Sequence, residues 1–166
     1  VNSSLEKSIT YFEYSVNLKN TNSLCELLYP SIKIAENTSL TGKFKSEENL
    51  FEMKANSPQI DFKGSKIFDW FLESESKGEK FLIKIGSKRF SFKETSEQDT
   101  LQLGLDSLIF STEIMNDSIN YDICWNNVSE DNYKGDLAGC FSFKDELIRA
   151  KITNADIIVN DTTWTI

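Results

Sequence analysis

The sequence predicts an antiparallel all-β fold, and three observations support this. Aromatic residues make up 12% of the 166 residues, with 12 Phe against only 2 Pro, and aromatic side chains pack well on a pleated surface. Apolar and polar residues alternate strictly in several stretches, as in strands that are buried on one side. Polar segments of hairpin length separate these stretches, so neighbouring strands should pair in sequence order.

Strict alternation assigns five strands. Their apolar positions are Phe12, Tyr14, Val16 and Leu18; Phe81, Ile83 and Ile85; Leu101, Leu103 and Leu105; Ile119, Tyr121, Ile123 and Trp125; and Leu137, Gly139, Phe141 and Phe143. The polar segments Glu73 to Gly78, Glu94 to Thr100 and Asn126 to Gly135 are predicted to connect strands.

One short helix is predicted near residues 23–29. Leu24, Leu27 and Leu28 fall at helical spacing and Pro30 ends the run, while Asn22 and Ser23 are candidate caps. No linker rich in Gly, Ser or Pro divides the chain. Residues 1–166 are therefore predicted to form a single β-rich segment, which we expect to belong to a larger protein.

An internal repeat relates residues 40–69 to residues 137–166. Leu40-Thr41-Gly42-Lys43-Phe44 matches Leu137-Ala138-Gly139-Cys140-Phe141 at an offset of 97 positions, and Phe51, Ile60 and Phe62 fall on Ile148, Ile157 and Val159 without a gap. Each copy predicts a strand, a turn, a strand, a short bend and another strand. A repeated hairpin unit of this kind is typical of a sheet that grows by addition of units.

An apolar face follows if the alternating residues share one side of the sheet. That face would hold Phe81, Ile83, Ile85, Phe90, Phe92, Leu101, Leu103, Leu105, Tyr121, Ile123, Trp125, Phe141 and Phe143, with Lys84, Gln102, Asp122 and Ser142 on the other side. The sequence leaves two interpretations open: an open groove that binds an apolar ligand, or the sealed core of a β-sandwich, which is the commoner structure.

The three cysteines are Cys25, Cys124 and Cys140. If the strands around Tyr121 and Phe141 pair about residue 132, Cys124 lies opposite Cys140, and the two could form a disulfide in an oxidising compartment. Directly opposed strand positions often strain a disulfide, which favours two unpaired thiols instead.

The composition argues against catalysis, cofactors and nucleic acid. The chain has no His, which removes the commonest general base and a common metal ligand. The paired carboxylates fall in predicted turns, no glycine pattern suits a phosphate, and the oxygen-rich stretch from Asn126 to Asn132 lacks the spacing of a calcium loop. A net charge of −8 without a basic cluster gives no means of neutralising phosphates. We therefore expect no enzyme, no cofactor, no metal site and no nucleic-acid partner.

Several stretches resemble the TamB-like members of the AsmA superfamily, the translocation and assembly modules of Gram-negative bacteria. They run from the predicted helix through Ile32-Lys33-Ile34 and Ser39-Leu40-Thr41-Gly42 to Ser57-Pro58-Gln59-Ile60-Asp61-Phe62-Lys63-Gly64, and include Ile157-Ile158-Val159-Asn160-Asp161-Thr162-Thr163-Trp164. The resemblance implies a β-taco, an extended curved sheet whose inner face is an apolar groove for phospholipid acyl chains.

The resemblance also implies a place in the cell and a partner. The parent protein would be anchored in the inner membrane, cross the periplasm and meet an outer-membrane protein of the Omp85 type through parts outside this chain, in support of lipid transport and protein assembly at the outer membrane. The alternative function is a secreted β-sandwich module that binds glycan or protein, with Trp70, Trp125 or Trp164 as a stacking platform.

Overall fold

A computed structural model describes residues 10–92, 104–127, 133–144, 147–159 and 162–165 of the chain. Strands account for 79% of the structure and helix for 4%, and the strands form one open, curved antiparallel sheet that does not close into a barrel. The predicted fold class is confirmed. The described residues supply a single layer, so they do not form the β-sandwich that was the alternative.

The described residues contain eleven strands and one helix. In chain order they are β1 (Tyr11–Leu18), α1 (Asn22–Leu28), β2 (Ile32–Ile34), β3 (Thr38–Lys45), β4 (Leu50–Phe62), β5 (Ser65–Lys77), β6 (Lys80–Ser91), β7 (Gly104–Met115), β8 (Ser118–Asn126), β9 (Lys134–Lys144), β10 (Leu147–Val159) and β11 (Thr162–Thr165).

Helix α1 lies where the leucine spacing predicts it, but its cap differs from the prediction. The N-cap residue is Thr21, not Asn22 or Ser23, and it makes no side-chain cap hydrogen bond. Its hydroxyl instead donates to the Ile34 carbonyl oxygen over 2.7 Å. Thr21 therefore ties the start of the helix to β2.

The strands follow one another across the sheet in sequence order from β3 to β11. β1 pairs with β3, and the short β2 pairs with β4 beyond the first residue of β3, through Ile34 opposite Ile60. Every pairing is antiparallel, as the hairpin-length connections predict.

The prediction that Glu73 to Gly78 connects two strands is wrong, because β5 continues to Lys77. Glu73 lies opposite Lys84, while the small Ser74 lies opposite Ile83 on the other side. In a sheet of one layer the acidic side chains of such a stretch point into water, so polarity does not end the strand. The turn comes at Gly78, whose φ of 65° suits glycine.

The 97-residue repeat coincides with strand boundaries. β4 and β10 each have 13 residues and begin at Leu50 and Leu147, and β5 and β11 begin at Ser65 and Thr162. The register also repeats at the second hairpin: Val159 pairs with Thr162 as Phe62 pairs with Ser65. The two copies therefore share one register between their last two strands.

The predicted register of the β8–β9 hairpin is wrong by four residues. Tyr121 pairs with Gly139 and Trp125 pairs with Gly135, so Trp125 does not cover Gly139. A Cβ at Gly135 would overlap the Trp125 ring, and one at Gly139 would overlap the Tyr121 ring. The two aromatic rings need glycine opposite them, and this requirement fits the observed register.

Replacing Gly135 by Ala should destabilise the protein. The added methyl group must displace the Trp125 ring, and overpacking of this kind costs about 1–3 kcal/mol. Urea unfolding followed by circular dichroism measures the loss. In a Trp125→Leu background the same substitution should cost less, so equal costs in the two backgrounds would contradict a direct ring contact.

Candidate functional site

Strand register divides the sheet into two sides. We call the side that carries Ile83 the main apolar face. Within a strand alternate residues share a side, and residues paired across strands share one too. Four rows run across the strands of this face. They are Phe12, Phe44, Phe51, Ser76, Phe81, Ile114, Ile119 and Phe141; Tyr14, Gly42, Met53, Ser74, Ile83, Thr112, Tyr121, Gly139 and Ile152; Val16, Leu40, Ala55, Leu72, Ile85, Phe110, Ile123, Leu137 and Ala155; and Leu18, Thr38, Ser57, Trp70, Ser87, Leu108, Trp125, Gly135 and Ile157.

None of the described residues in these four rows is charged. The polar members are tyrosines and small hydroxyl residues. Thr38 and Ser57 hydrogen-bond each other over 2.7 Å. Ser74, Ser87 and Thr112 have buried hydroxyls without a hydrogen-bond partner. Even the hydroxyl groups therefore add little polarity to this face.

Large and small side chains alternate along the second row. Gly42, Ser74, Thr112 and Gly139 fall on alternate strands between larger residues. The Tyr14 ring lies over Gly42 and the Tyr121 ring lies over Gly139. In the first row the Phe51 and Phe81 rings approach to 5.6 Å between centroids, across the small Ser76 of β5. Large residues thus fill the space above small ones, which gives a packed apolar surface.

No second layer formed by the described part of the chain covers this surface. Ala155 is the one hydrophobic residue of the described part that is fully buried, whereas Phe12, Phe141 and Ile152 are 52%, 37% and 51% exposed. In a sealed core the large apolar side chains would be the most buried residues. Among the described residues, therefore, the main apolar face is open.

The structure brings most of the predicted site residues together. Phe81, Ile83, Ile85, Tyr121, Ile123, Trp125, Phe141 and Phe143 share the main apolar face. Lys84, Asp122 and Ser142 lie on the opposite side, as predicted. Leu101, Gln102 and Leu103 lie outside the described residues.

Phe90, Phe92 and Leu105 do not belong to the main apolar face. Phe90 follows Ile85 by five residues within one uninterrupted strand, so their side chains leave opposite sides of the sheet. Phe90 pairs with Leu105, and the Phe92 ring meets Phe90 edge to face at 4.9 Å. The sequence prediction put Phe81, Ile83 and Ile85 on the same side as Phe90 and Phe92. The first run has odd and the second has even residue numbers, so in a continuous strand they face opposite sides.

The prediction also missed members of this face on β4, β5 and β7. Met53, Leu72, Phe110 and Ile114 are in register with predicted residues. Alternation in Leu108, Phe110, Thr112 and Ile114 was the signal that could have found the β7 members.

A bend crosses the sheet where the apolar side changes. Asp69 and Ser107 have φ values of 48° and 51°. They lie on either side of Lys88 in the register, and none of these three residues takes part in the regular pairing between β5, β6 and β7. Beyond this bend Ile34, Ile60, Ile67, Phe90 and Leu105 form a second apolar row on the other side. The main apolar face thus ends at the bend.

The opposite side of the sheet carries a hollow of about 620 Å³. Its lining includes Glu52, Lys54, Glu73, Glu75, Lys84, Glu113 and Asp122. Lys54 Nζ lies 3.8 Å from Glu73 Oε1, in an exposed pair. Ser74, Ile83, Thr112 and Tyr121 of the second row also line the hollow, but its charged side chains lie on the side away from the main apolar face.

The three cysteines are free, and two of them lie half-buried on the polar side. Cys124 pairs with Asp136, and Cys140 pairs with Asn120, four residues away along β8. Four strand residues span roughly 13 Å, beyond the reach of a disulfide. The predicted juxtaposition of Cys124 and Cys140 is therefore wrong.

The described residues contain no group of three or more Cys, Asp or Glu side chains placed to hold a metal ion. None of their helices has the length and apolar character that a membrane crossing requires. Of the oxygen-rich stretch from Asn126 to Asn132, residues 128–132 lie outside the described part.

Thiol chemistry checks the cysteine assignment. Unreduced, denatured protein should yield three thiols with Ellman's reagent, and two missing thiols would contradict the structure.

Burial, and after it the Asp122 and Asp136 carboxylates, raises the pKa of the Cys124 thiol. Since the thiolate is the nucleophile, Cys124 in the folded protein should react with iodoacetamide more slowly at pH 8 than a peptide cysteine. Its rate should rise about tenfold per pH unit below its pKa; peptide mass mapping measures this, and a rate independent of pH would contradict it.

Comparison of the chain with known proteins gives no independent indication of function. No family model matches it, and searches of curated proteins and of solved structures return no match. The main apolar face is therefore the candidate site on its physical properties alone.

Proposed function

We propose that this chain is a non-enzymatic segment of an envelope scaffold, and that its main apolar face shelters the acyl chains of phospholipids. The observation that carries the proposal is the absence of charge from the four described rows of this face. A single buried, unpaired charge costs several kcal/mol, roughly. An uncharged face can accept hydrocarbon without that cost.

The size of the face supports an apolar occupant. Neighbouring strands from β1 to β10 lie about 4.8 Å apart, and the four rows that cross them lie about 6.6 Å apart. The main apolar face therefore has an area of roughly 800 Å². The largest apolar patch on a typical soluble monomer is about 300–600 Å². An uncovered face of this size favours a ligand or partner, because burial stabilises by roughly 25 cal/mol per Å².

The surface suits a flexible hydrocarbon chain. The face consists mainly of rings and branched side chains, and its Ser74, Ser87 and Thr112 hydroxyls are buried. Hydrocarbon requires no hydrogen bond and adapts to an irregular surface. A sugar would require several converging hydrogen-bonding groups, whereas the larger polar groups of this face are limited to tyrosine hydroxyls and tryptophan indole N–H groups, which disfavours the glycan-binding alternative.

Charge predicts which lipids bind best. The chain carries a net charge of −8, so an anionic headgroup held near the protein is repelled at low ionic strength. Zwitterionic phospholipids should therefore bind better than anionic ones. Raising the salt concentration should narrow this difference.

The wider setting rests on the resemblance to TamB-like proteins. Under the proposal the parent protein is anchored in the inner membrane, this segment lies in the periplasm, and an Omp85-type outer-membrane protein is met by other parts of the parent. The segment then contributes to lipid transport and outer-membrane assembly as one stretch of a longer apolar path.

Lipid capture with a matched pair of variants tests the proposal. Purified protein is incubated with phosphatidylcholine vesicles that contain a fluorescent phosphatidylethanolamine, and is then separated from them and extracted. Wild-type protein should carry lipid. Ile83→Lys, which places a charge in the second row, should reduce the bound lipid at least tenfold.

Leu82→Lys is the matched control, because Leu82 precedes Ile83 in β6 and its side chain lies on the polar side of the sheet. There it is paired with Glu75 on one neighbouring strand and with Glu113 on the other. It should leave lipid capture unchanged. Circular dichroism checks that both variants fold. Ile83→Ser is a second, uncharged variant, which should reduce the bound lipid less than Ile83→Lys does. Absence of lipid from wild-type protein, or equal loss in the Leu82 and Ile83 variants, would sink the proposal.

A further inference from the structure

An exposed apolar group lies at the end of helix α1, beyond the bend at which the main apolar face ends. Leu27, Leu28 and Tyr29 are 80%, 70% and 47% exposed, and Phe62 of β4 is 39% exposed. The Tyr29 and Phe62 rings stack with 6.4 Å between their centroids. We call these four residues the apolar tip, which is a separate surface from the main apolar face.

Backbone hydrogen bonds hold the apolar tip against the β4–β5 hairpin. The Ile32 N–H donates to the Tyr29 carbonyl oxygen, and the Lys63 N–H donates to the Ser31 carbonyl oxygen, both over 3.0 Å. Among the described strands, the short β2 is the main neighbour of α1. The apolar tip is therefore fixed beside the turn at Lys63 and Gly64.

Three exposed lysines line a hollow of about 300 Å³ beside the apolar tip. They are Lys33, Lys63 and Lys66, and Asp61 also lines the hollow. Within the described part of the chain, none of these lysines has a carboxylate within ion-pair distance. Lys63 Nζ lies 5.2 Å from the centroid of the Phe62 ring. The positive charges and the apolar tip are therefore neighbours.

Most acidic residues of the chain lie far from the apolar tip. Among the described residues, Glu26 in α1 is exposed, and so is Glu36, which lies at the bend about 13 Å of chain from Ile32. On the polar side of the sheet, Glu52 is ten residues from Phe62 along β4, roughly 33 Å of strand. Because the Debye length is about 8–10 Å in physiological salt, the net charge of −8 acts only weakly at the apolar tip.

The arrangement of the two leucines favours a bilayer over a folded protein as the partner. Successive residues of an α-helix point about 100° apart, so Leu27 and Leu28 project in different directions. Hydrocarbon can surround such a pair on every side, whereas a flat protein surface reaches only one of them. A tyrosine such as Tyr29 suits the boundary between hydrocarbon and headgroups. Long lysine side chains reach headgroup phosphates from the same position.

We propose that the apolar tip docks this chain on the surface of a bilayer that contains anionic phospholipids. Leu27 and Leu28 enter the hydrocarbon, the Tyr29 ring stays at its boundary, and the three lysines of the hollow meet headgroup phosphates. Ser57, in the last row of the main apolar face, is five residues from Phe62. Docking therefore places the end of that face roughly 17 Å of strand from the headgroups.

Sedimentation with sucrose-loaded vesicles tests docking on the full chain. The vesicles are either phosphatidylcholine alone or phosphatidylcholine mixed with phosphatidylglycerol. The protein should bind the mixed vesicles about fivefold more tightly than phosphatidylcholine alone, and added salt should weaken this binding. Glycerol phosphate should not compete, because it lacks hydrocarbon. Competition by glycerol phosphate would assign the hollow to a free phosphate and overturn docking.

A leucine variant and a matched control test the apolar part of the contact. Leu27→Ser with Leu28→Ser should weaken binding to mixed vesicles about tenfold. Tyr11→Ser with Leu147→Ser also removes two exposed apolar side chains, which are 55% and 58% exposed, and it should leave binding unchanged. Circular dichroism checks that both variants fold. Equal loss in the two variants would contradict the proposal.

A charge variant tests the lysines of the hollow. Lys33→Gln, Lys63→Gln and Lys66→Gln together should remove the preference for mixed vesicles and leave the weaker binding to phosphatidylcholine. The matched control makes the same change at three exposed lysines of other strands and should keep the preference. These are Lys84→Gln, Lys144→Gln and Lys151→Gln.

Two further outcomes would overturn docking. One is the absence of binding to mixed vesicles. The other is a dimer that forms without vesicles and is lost in the leucine variant, which would assign the apolar tip to a second copy of the chain. Docking is measured with vesicles present and lipid capture after their removal, so either proposal can fail alone. The preference for zwitterionic lipid concerns molecules held along the main apolar face, not the bilayer at the apolar tip.

Discussion

The lateral ladder of backbone hydrogen bonds is the constraint on which the rest of this structure depends. The described strands form a single layer, so none of them belongs to a second sheet packed on the first, and each is held mainly by its neighbours. Central strands are long, with 13 residues in β5 and 12 in β6 and β7. Because alternate residues face opposite sides, any change of register by an odd number would move apolar residues into the polar side. Register changes by an even number leave the faces intact.

This parity rule explains which features could be predicted from sequence. Alternation predicted the sides of Ile83 and Tyr121 and the opposite side of Lys84, because that assignment needs only local counting. It did not predict that Tyr121 pairs with Gly139, since a four-residue shift preserves parity. The observed register places glycine opposite the Tyr121 and Trp125 rings, and the Asn127 N–H continues it by donating to the Tyr133 carbonyl oxygen. Pairing each bulky ring of β8 with a glycine of β9 would have given this register, whereas alternation alone did not.

The misplacement of Phe90 and Leu105 has a related cause. Sequence alternation is visible on both sides of the bend. The bend itself depends on the left-handed conformations of Asp69 and Ser107. Neither residue is a glycine, so the sequence gives no sign of a left-handed conformation there. β6 passes through the bend without interruption, so its parity continues while its apolar positions change from odd to even numbers. The strand is therefore apolar on one side before the bend and on the other side after it. A long strand in a single sheet can change sides in this way because neither side is buried by a second layer.

The change of side also sets the length of the main apolar face. From the row of Phe81 to the row of Ser87 the face extends roughly 20 Å along the strands. The next row on the same side holds Arg89, whose Nη1 lies 2.7 Å from Asp106 Oδ1. One leaflet of a bilayer contributes roughly 15 Å of hydrocarbon, so an acyl chain laid along the strands fits within the uncharged rows. Under the proposed function, the Arg89–Asp106 pair marks the point at which hydrocarbon gives way to groups that tolerate water.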